Sequence, residues 1–414
     1  MIGAYEAAVA ACDPEPAVSR AISFDDSGVT VGGTRFEDAR PDDFVVVALG
    51  KAASAMVRGA AVKLGKLHGI AVSNHIEPCS VPLFIGSHPV PTSDSLVAGE
   101  YLLDFVAGLA PTDIVVYLIS GGGSSIAVAP RVGLTVKDLS GLNEALLRSG
   151  MPIGEMNEIR AALSRIKGGR LAAASRAARS VTLVLSDVVG VSESHVASGP
   201  SLGAGMGADA RSIARKYDLE SVVSASVMEV LTSARPLSSR ERGPFTVVGS
   251  SQLAADAAAR YLNEHGFTPL IVTTALSGDA RTRAIEMVRA AVPGTVAVAT
   301  GETTVVVTGS GRGGRNQEAA LAAAIEISGT ASVFCALGTD GIDGATPAAG
   351  AVVDGTTRAA AIAGGVDLAA ALENNDSFTA LSGLGVHVIR GDTGTNVGDL
   401  WMVGEATRGL QGSP

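Results

Sequence analysis

Short β-branched runs that alternate with longer alanine-rich runs predict an α/β fold. Two domains are expected, each with a mainly parallel sheet flanked by helices. Three observations support this. Several strand candidates are apolar almost throughout, as strands buried on both faces are. The chain has 414 residues, more than one ordinary core holds. The polar stretch TSARPLSSRERGP at 232–244 follows a fading helical pattern and precedes a fresh strand. The domains are therefore placed at 1–240 and 241–414, with the last residues free to pack back on the first.

In chain order, the strand candidates are DFVVVAL (43–49), DIVVYLIS (113–120), SVTLVLSDVV (180–189), FTVVGS (245–250), PLIVTTAL (269–276), TTVVVTG (303–309) and SVFCALG (332–338). β-branched enrichment and turn residues at their ends justify each. The helix candidates are 52–67, 95–109, 154–166, 251–266 and 317–327, built from alanine, leucine and other strong helix formers.

Composition narrows the function. Hydrophobic residues make up 47% of the chain and charged residues 17%, a globular balance. The net charge of −10 argues against nucleic acid or an anionic membrane as a partner. Any anionic substrate must be met by local lysine and arginine. Three scattered cysteines, Cys12, Cys79 and Cys335, make neither a disulfide framework nor a CxxC pair, which fits a reducing cytoplasm. The start lacks a basic n-region, and no apolar run approaches the ~20 residues of a membrane span. No GxxxxGK[ST], HExxH or strand-borne GxSxG occurs, which argues against a P-loop enzyme, a zinc site and a serine hydrolase.

Five constellations could carry chemistry. Gly50 and Lys51 follow a buried strand, where open α/β sheets bind ligands and where a cation could meet a phosphoryl group. Ser120, Gly121, Gly122, Gly123, Ser124 and Ser125 follow another, and offer backbone N–H groups and hydroxyls to an anion. Arg160, Arg165, Lys167 and Arg170 cluster about Gly168 and Gly169. Asp187 ends a strand, a position suited to a Mg²⁺ ligand or base. Finally, GSGRGG at 309–314 joins a strand candidate to a helix, with Gly311, Arg312, Gly313, Gly314 and Arg315 in the turn and Asn316 beyond it. Thr339, Asp340 and Asp343 lie in the loop after the next strand. That turn formally matches GxGxxG, but the acid expected about 20 residues later is missing, so the nicotinamide signal is weak.

The blocks GKAASAM (50–56), SHPVPTSDS (87–95), ISGGGSS (119–125), LLRSGMPIGEMNEIRAALSRIKGGRLA (146–172), SDVVG (186–190), ASGP (197–200), GETTVVVTGSGRGGRNQEAALA (301–322), GTDGIDGATPAAGAVVD (338–354), ENNDSF (373–378) and TGTNVGDL (393–400) run in one order over nearly the whole chain. In this set the chain resembles the class II glycerate kinases, whose C-terminal half carries the MOFRL domain. The resemblance implies a Rossmann-like N-terminal domain, an active site in the interdomain cleft, and Lys51 and Arg315 as principal catalytic cations. It implies ATP and D-glycerate as substrates, with 2-phosphoglycerate as product. Small molecules are the expected partners, with a homodimer allowed.

The expected mechanism holds the glycerate carboxylate on the 120–125 loop and the 160–170 segment, since arginine matches a carboxylate bidentately. Mg²⁺ would accompany ATP, with Asp187, Asp340 and Asp343 as its candidate ligands. One rival enzyme reading is an NAD(P)H-dependent hydroxypyruvate reductase, a label members of this family have carried. Another, of a different class, is a non-catalytic sensor of phosphorylated ligands. The chain departs from the family pattern after SDVVG, where VSESHVASGP offers Glu193 as its one acid in place of the several often found, and at Ser87, where glycine is usual.

Overall fold

The computed structural model describes residues 1–187, 193–202, 209–233 and 243–405. The chain divides into two compact units: Pro14–Val248, and Met1–Asp13 together with Gly249–Pro414. The opening thirteen residues, expected in the first domain, group with the second unit instead. The end of the chain, expected to have freedom to pack back, lies outside the described residues beyond 405.

The Pro14–Val248 unit begins with a small antiparallel meander, β1 (Ile22–Asp25), β2 (Gly28–Val31) and β3 (Thr34–Glu37). Its main sheet contains β4 (Phe44–Leu49), β5 (His68–Ser73), β6 (Leu83–Ile85), β7 (Ile114–Ser120), β8 (Arg179–Leu185) and β9 (Phe245–Gly249), ordered β6-β5-β4-β7-β8-β9. The four pairs from β6 to β8 are parallel. Counted along the chain within this sheet, the order is 3-2-1-4-5-6, that of a dinucleotide-binding fold, so the expected Rossmann-like domain is present. β4 and β7 are buried at every position, which explains their unbroken apolar sequences. Helices Ala53–Leu64 and Ser93–Ala107 cover the sheet. A separate apolar cluster, including Leu142, Leu146, Ile159, Ile213 and Leu231, joins the helices between residues 136 and 233.

The second unit also has six strands: β10 (Pro269–Leu276), β11 (Val296–Gly301), β12 (Ser332–Gly338), β13 (Gly350–Asp354), β14 (His387–Val388) and β15 (Asp399–Glu405), ordered β10-β11-β15-β12-β13-β14. The expectation of a mainly parallel sheet is corrected here. Only β10 and β11 are parallel neighbours, because β15 inserts antiparallel between β11 and β12, and β13 pairs antiparallel on both sides. Helix Arg315–Glu326 crosses this sheet with its alanines buried, and helix Ile2–Ala11 packs on helix Ser251–Glu264. Phe334 and Trp401 meet edge to face at 5.7 Å in the core.

The strand expected over 303–309 does not form. The strand is the preceding run, VAVATG, buried at all six positions. After it, Thr304 makes one isolated bridge to Asp279, and Val306 and Val307 are 71% and 72% exposed. TTVVVTG has the residue types of a strand, but no neighbouring strand pairs with it, and pairing decides. No helix among the described residues is long and apolar enough to cross a membrane.

Candidate active site

The switch point of the first sheet lies between β4 and β7, the strands that lead into Lys51 and the triple glycine. The two strand exits are locked together. The N–H of Lys51 donates to Gly121 O at 2.9 Å, and that of Ala52 to Ser120 Oγ at 3.1 Å. Gly50, at φ +129°, has no room for a Cβ against Ser120. Ser120, expected to bind ligand, is buried and spends its hydroxyl on this junction.

The next two glycines have different reasons. A Cβ on Gly121 would collide with Asp187 Oδ2, so glycine lets that carboxylate reach the turn. Gly122 is left-handed at φ +81°, and a Cβ there would lie 3.1 Å from both Lys51 Cγ and His88 Cδ2. Lys51, His88, Asp187 and Gly121–Gly122 thus form one cluster. Burial raises the Asp187 carboxyl above the usual carboxylate range, and its own backbone and the Lys51 charge only partly oppose this. Burial, then the Lys51 charge, lowers the His88 imidazole.

Beside this cluster, Ser124 Oγ lies 2.6 Å from Ser198 Oγ, and Ser198 donates to Asn157 Oδ1 at 3.2 Å. Ala197 and Ser198 hold φ of +53° and +59°, strain that side chains other than glycine rarely carry and that gathers at functional sites. The strained turn is pinned by Gly168 N to Ser198 O at 2.9 Å and Gly169 N to Gly199 O at 2.7 Å. Ser125 keeps its hydroxyl on Gly122 O at 3.3 Å.

Lys167, His88, Gly122, Ser124, Ser125 and Arg160 all line a cavity of about 330 Å³. Lys167 is 8% exposed, and no acceptor among the described residues pairs with its Nζ. Burial, and then the Arg160 charge, brings its ammonium down to about 7. Arg160 donates to Asn143 Oδ1 at 2.5 Å. Arg170 differs from the expected ligand contact: its Nη1 donates to Ala161 O at 2.9 Å and Lys167 O at 3.1 Å, so it holds the turn that carries Lys167. Arg165 likewise pairs with Glu100.

In the second unit, Arg315 opens helix Arg315–Glu326. Its Nε and Nη2 reach the two oxygens of Asp399 at 2.7 and 3.0 Å, and Nη1 reaches Glu302 at 3.0 Å. Burial works against the charge, but Asp399, Glu302 and Asp343 outweigh it and raise the guanidinium.

Several expected ligand contacts here are internal instead. Asn316 accepts from Trp401 Nε1 at 2.7 Å and donates to Asp399 at 2.8 Å. Thr339 is fully buried and hydrogen-bonded to Gly398 O. Asp343, expected to bind metal, accepts the N–H groups of Asn316 and Gln317 at 3.1 and 2.8 Å and so caps the helix. Burial pushes its carboxyl up to about 6. Asp340 accepts from Ile342 N at 3.1 Å. Among the described residues no group of three His, Cys, Asp or Glu side chains could hold a metal.

The GSGRGG turn is not an open phosphate cradle. Asn375 Oδ1 takes the N–H groups of Thr308 and Gly309, Asn374 takes those of Ser310 and Gly311, and Asp376 Oδ1 takes that of Arg312. A Cβ on Gly311 would meet Asp376 and on Gly313 Ser377, so these glycines serve close packing against ENNDSF, while one on Gly314 would meet Asp343 of the following loop. Arg312 lies over the Phe378 ring at 4.6 Å and bonds Ala345 O. Asn375 also donates to the buried Glu318 at 3.0 Å. Asn375→Ala is therefore expected to cost ~2 kcal/mol or more by stranding these groups. Denaturant unfolding, with hydrogen exchange at 308–312, would check it.

Sequence reasoning missed His88, Asn143, Asn157, Ser164 and Ser198. His88 and Ser198 sat inside the quoted SHPVP and ASGP blocks, and Ser198 opens a Ser-Gly-Pro run that reads as a tight turn. Asn157 and Ser164 sat inside the quoted 146–172 block without a signal of their own, and Asn143 lay outside every block.

A buried lysine, a half-buried lysine and a carboxylate at or beside the switch point of an open sheet give this α/β unit a site suited to anions. Residues 1–232 match the family model described as a domain of unknown function, DUF4147, and residues 295–399 match the MOFRL family. A D-glycerate 2-kinase of Thermotoga maritima is 39% identical over 87% of this chain and 90% of its own. A relative from Agrobacterium vitis, named provisionally as a hydroxypyruvate reductase, is 37% identical over 96% of this chain and 92% of its own. A crystal structure of a glycerate kinase from Thermotoga maritima superposes with a TM-score of 0.85, at 34% identity over 98% of both chains. The chain belongs to this glycerate kinase family.

Proposed function

We propose that this chain is an ATP-dependent glycerate 2-kinase of a reducing cytoplasm. The observation that carries the reading is Lys51, locked to the triple-glycine turn beside Asp187 at the switch point. Lys51 and Arg315 supply positive charge to the transferring phosphoryl group. The bond from the γ-phosphorus to the bridging oxygen breaks and ADP leaves with the electron pair. A new bond forms to the 2-hydroxyl oxygen, whose proton passes to Asp187 or to solvent.

Lys167 and Arg160 hold the carboxylate, and Ser124 orients the hydroxyl. Asp187 also fits the usual Mg²⁺ arrangement of one or two carboxylates with substrate phosphates, and bound Mg²⁺ would neutralise the triphosphate. Asp340 is a further candidate ligand, whereas Asp343 is a helix cap. The reductase reading loses support, because the amides of its GxGxxG turn from Gly309 to Arg312 are already taken.

A coupled assay with ATP, Mg²⁺ and D-glycerate tests this. Glycerate-dependent ADP and a product that enolase consumes directly are expected. NAD(P)H oxidation on hydroxypyruvate without ADP would reverse the assignment.

The Lys167 ammonium adds a pH prediction. Its folded pKa is lowered to about 7, so the charge that binds an anion is present below that pH and lost above it. KM for glycerate should rise up to tenfold per pH unit above about 7, and Lys167→Arg should flatten that limb. By the same linkage, this group makes the free protein more stable as pH climbs from about 7 toward the ordinary lysine value, since the unfolded chain binds the extra proton.

A further inference from the structure

The cavity beside the switch point is larger than its proposed substrate needs. At about 330 Å³ it enters the ~300–1,000 Å³ range of sites for much bigger ligands. Glycerate has three carbons and four oxygens, and fills well under half of it. The surplus space has a definite chemistry. Leu139, Leu142, Asn143 and Leu146 follow the i, i+3, i+4, i+7 spacing of one helix face, on helix Val136–Arg148, and all four line the cavity. Asn143 fixes Arg160, while the three leucines offer only methyl groups. A hydroxymethyl group gains nothing from such a wall. Opposite chemistry comes from Lys167, nine-tenths buried and without a partner among the described residues.

We infer that this cavity accepts 2-hydroxy acids whose side chains are aliphatic and longer than that of glycerate, with the carboxylate on Lys167 and Arg160 and the side chain on Leu139, Leu142 and Leu146. The inference rests on the kinase reading for its chemistry. Transfer balances as it does for glycerate: the γ-phosphorus bond to ADP breaks, the bond to the 2-hydroxyl oxygen forms, and the hydroxyl proton is released. Such acids carry a single hydroxyl, so the phosphorylated position is fixed by the substrate itself.

The test is calorimetric titration of the full chain, without nucleotide, by D-glycerate, D-lactate, D-2-hydroxybutanoate and D-2-hydroxy-4-methylpentanoate. From lactate upward, Kd should fall by up to about fourfold for each added methylene. Leu139→Gln, at a half-buried position that tolerates a polar head, should flatten the series, and Leu142→Ala should shift the best-bound length upward. Lys167→Met should weaken all four acids together. A Kd that is flat or rises with length overturns the inference. Displacement of the acids by adenosine does so too, because it would put a nucleobase on the leucine wall. A working glycerate kinase with a flat series removes this inference alone. A Kd that falls with length, without glycerate-dependent ADP, removes the kinase reading and leaves the cavity's preference standing.

Discussion

Lys51→Ala should lower kcat/KM for glycerate phosphorylation by on the order of 10²–10³, the usual cost of removing one preorganised donor to a developing charge. Stability should hardly move. The contacts that place Lys51 are made by its backbone, through Gly121 O and Ser73 Oγ, and alanine keeps them. The loss should appear mainly in kcat, because a cation aimed at a transferring group helps the transition state more than the bound substrate. A steady-state assay beside a thermal melt checks both halves. Near-normal kcat in a well-folded variant would remove Lys51 from the chemistry.

Arg315→Ala should do two things at once, and a second substitution separates them. Asp399 is wholly buried and takes both of its Arg315 contacts from one guanidinium. Deleting the arginine leaves that carboxylate with Asn316 as its remaining side-chain donor. Breaking a buried pair from one side costs about 3–5 kcal/mol. For a unit of this size that is a fall in Tm of about 10 °C. Adding Asp399→Asn removes the stranded charge, so the double variant should regain most of the lost Tm. Activity should stay low in both variants, because no cation has been restored. Recovery of turnover along with Tm would show that Arg315 matters only as the partner of Asp399.

The Rossmann-like half was the most legible part of the chain. Its central strands, β4 and β7, are buried on both faces, so their sequences are almost unbroken apolar runs, and Lys51 and the triple glycine stand where those runs stop. The second unit was harder for a physical reason. Its central strand, β15, comes last in the chain and slots antiparallel between β11 and β12, a choice that no local pattern encodes. TTVVVTG carried strand propensity without a partner, whereas VAVATG, weaker on composition, had partners on both sides.

At the site, charge at strand exits was readable, but its division of labour was not. Arg160 and Lys167 face a cavity, while Arg170, one turn away, holds backbone carbonyls. The same residue types at the same spacing take both parts. Asn316, Thr339 and Asp343 sat in glycine-rich loops that invite a ligand, and they bind instead to Trp401, Gly398 and the helix N-terminus.

Helix Ile2–Ala11 belongs to the unit that is otherwise built from residue 249 onward. Tyr5 donates to Gly338 O at 3.0 Å, and Thr395 donates to Cys12 O at 2.7 Å. During synthesis this helix leaves the ribosome before every partner it will have. At ~5–20 residues per second it waits roughly 20–80 s for the strand that completes its sheet. The Pro14–Val248 unit can close in that interval, while the buried face of the helix, Ala4, Tyr5, Ala8 and Val9, remains uncovered. That face therefore stays uncovered until the later residues arrive, and the two units mature in the reverse of the order in which their first residues appear.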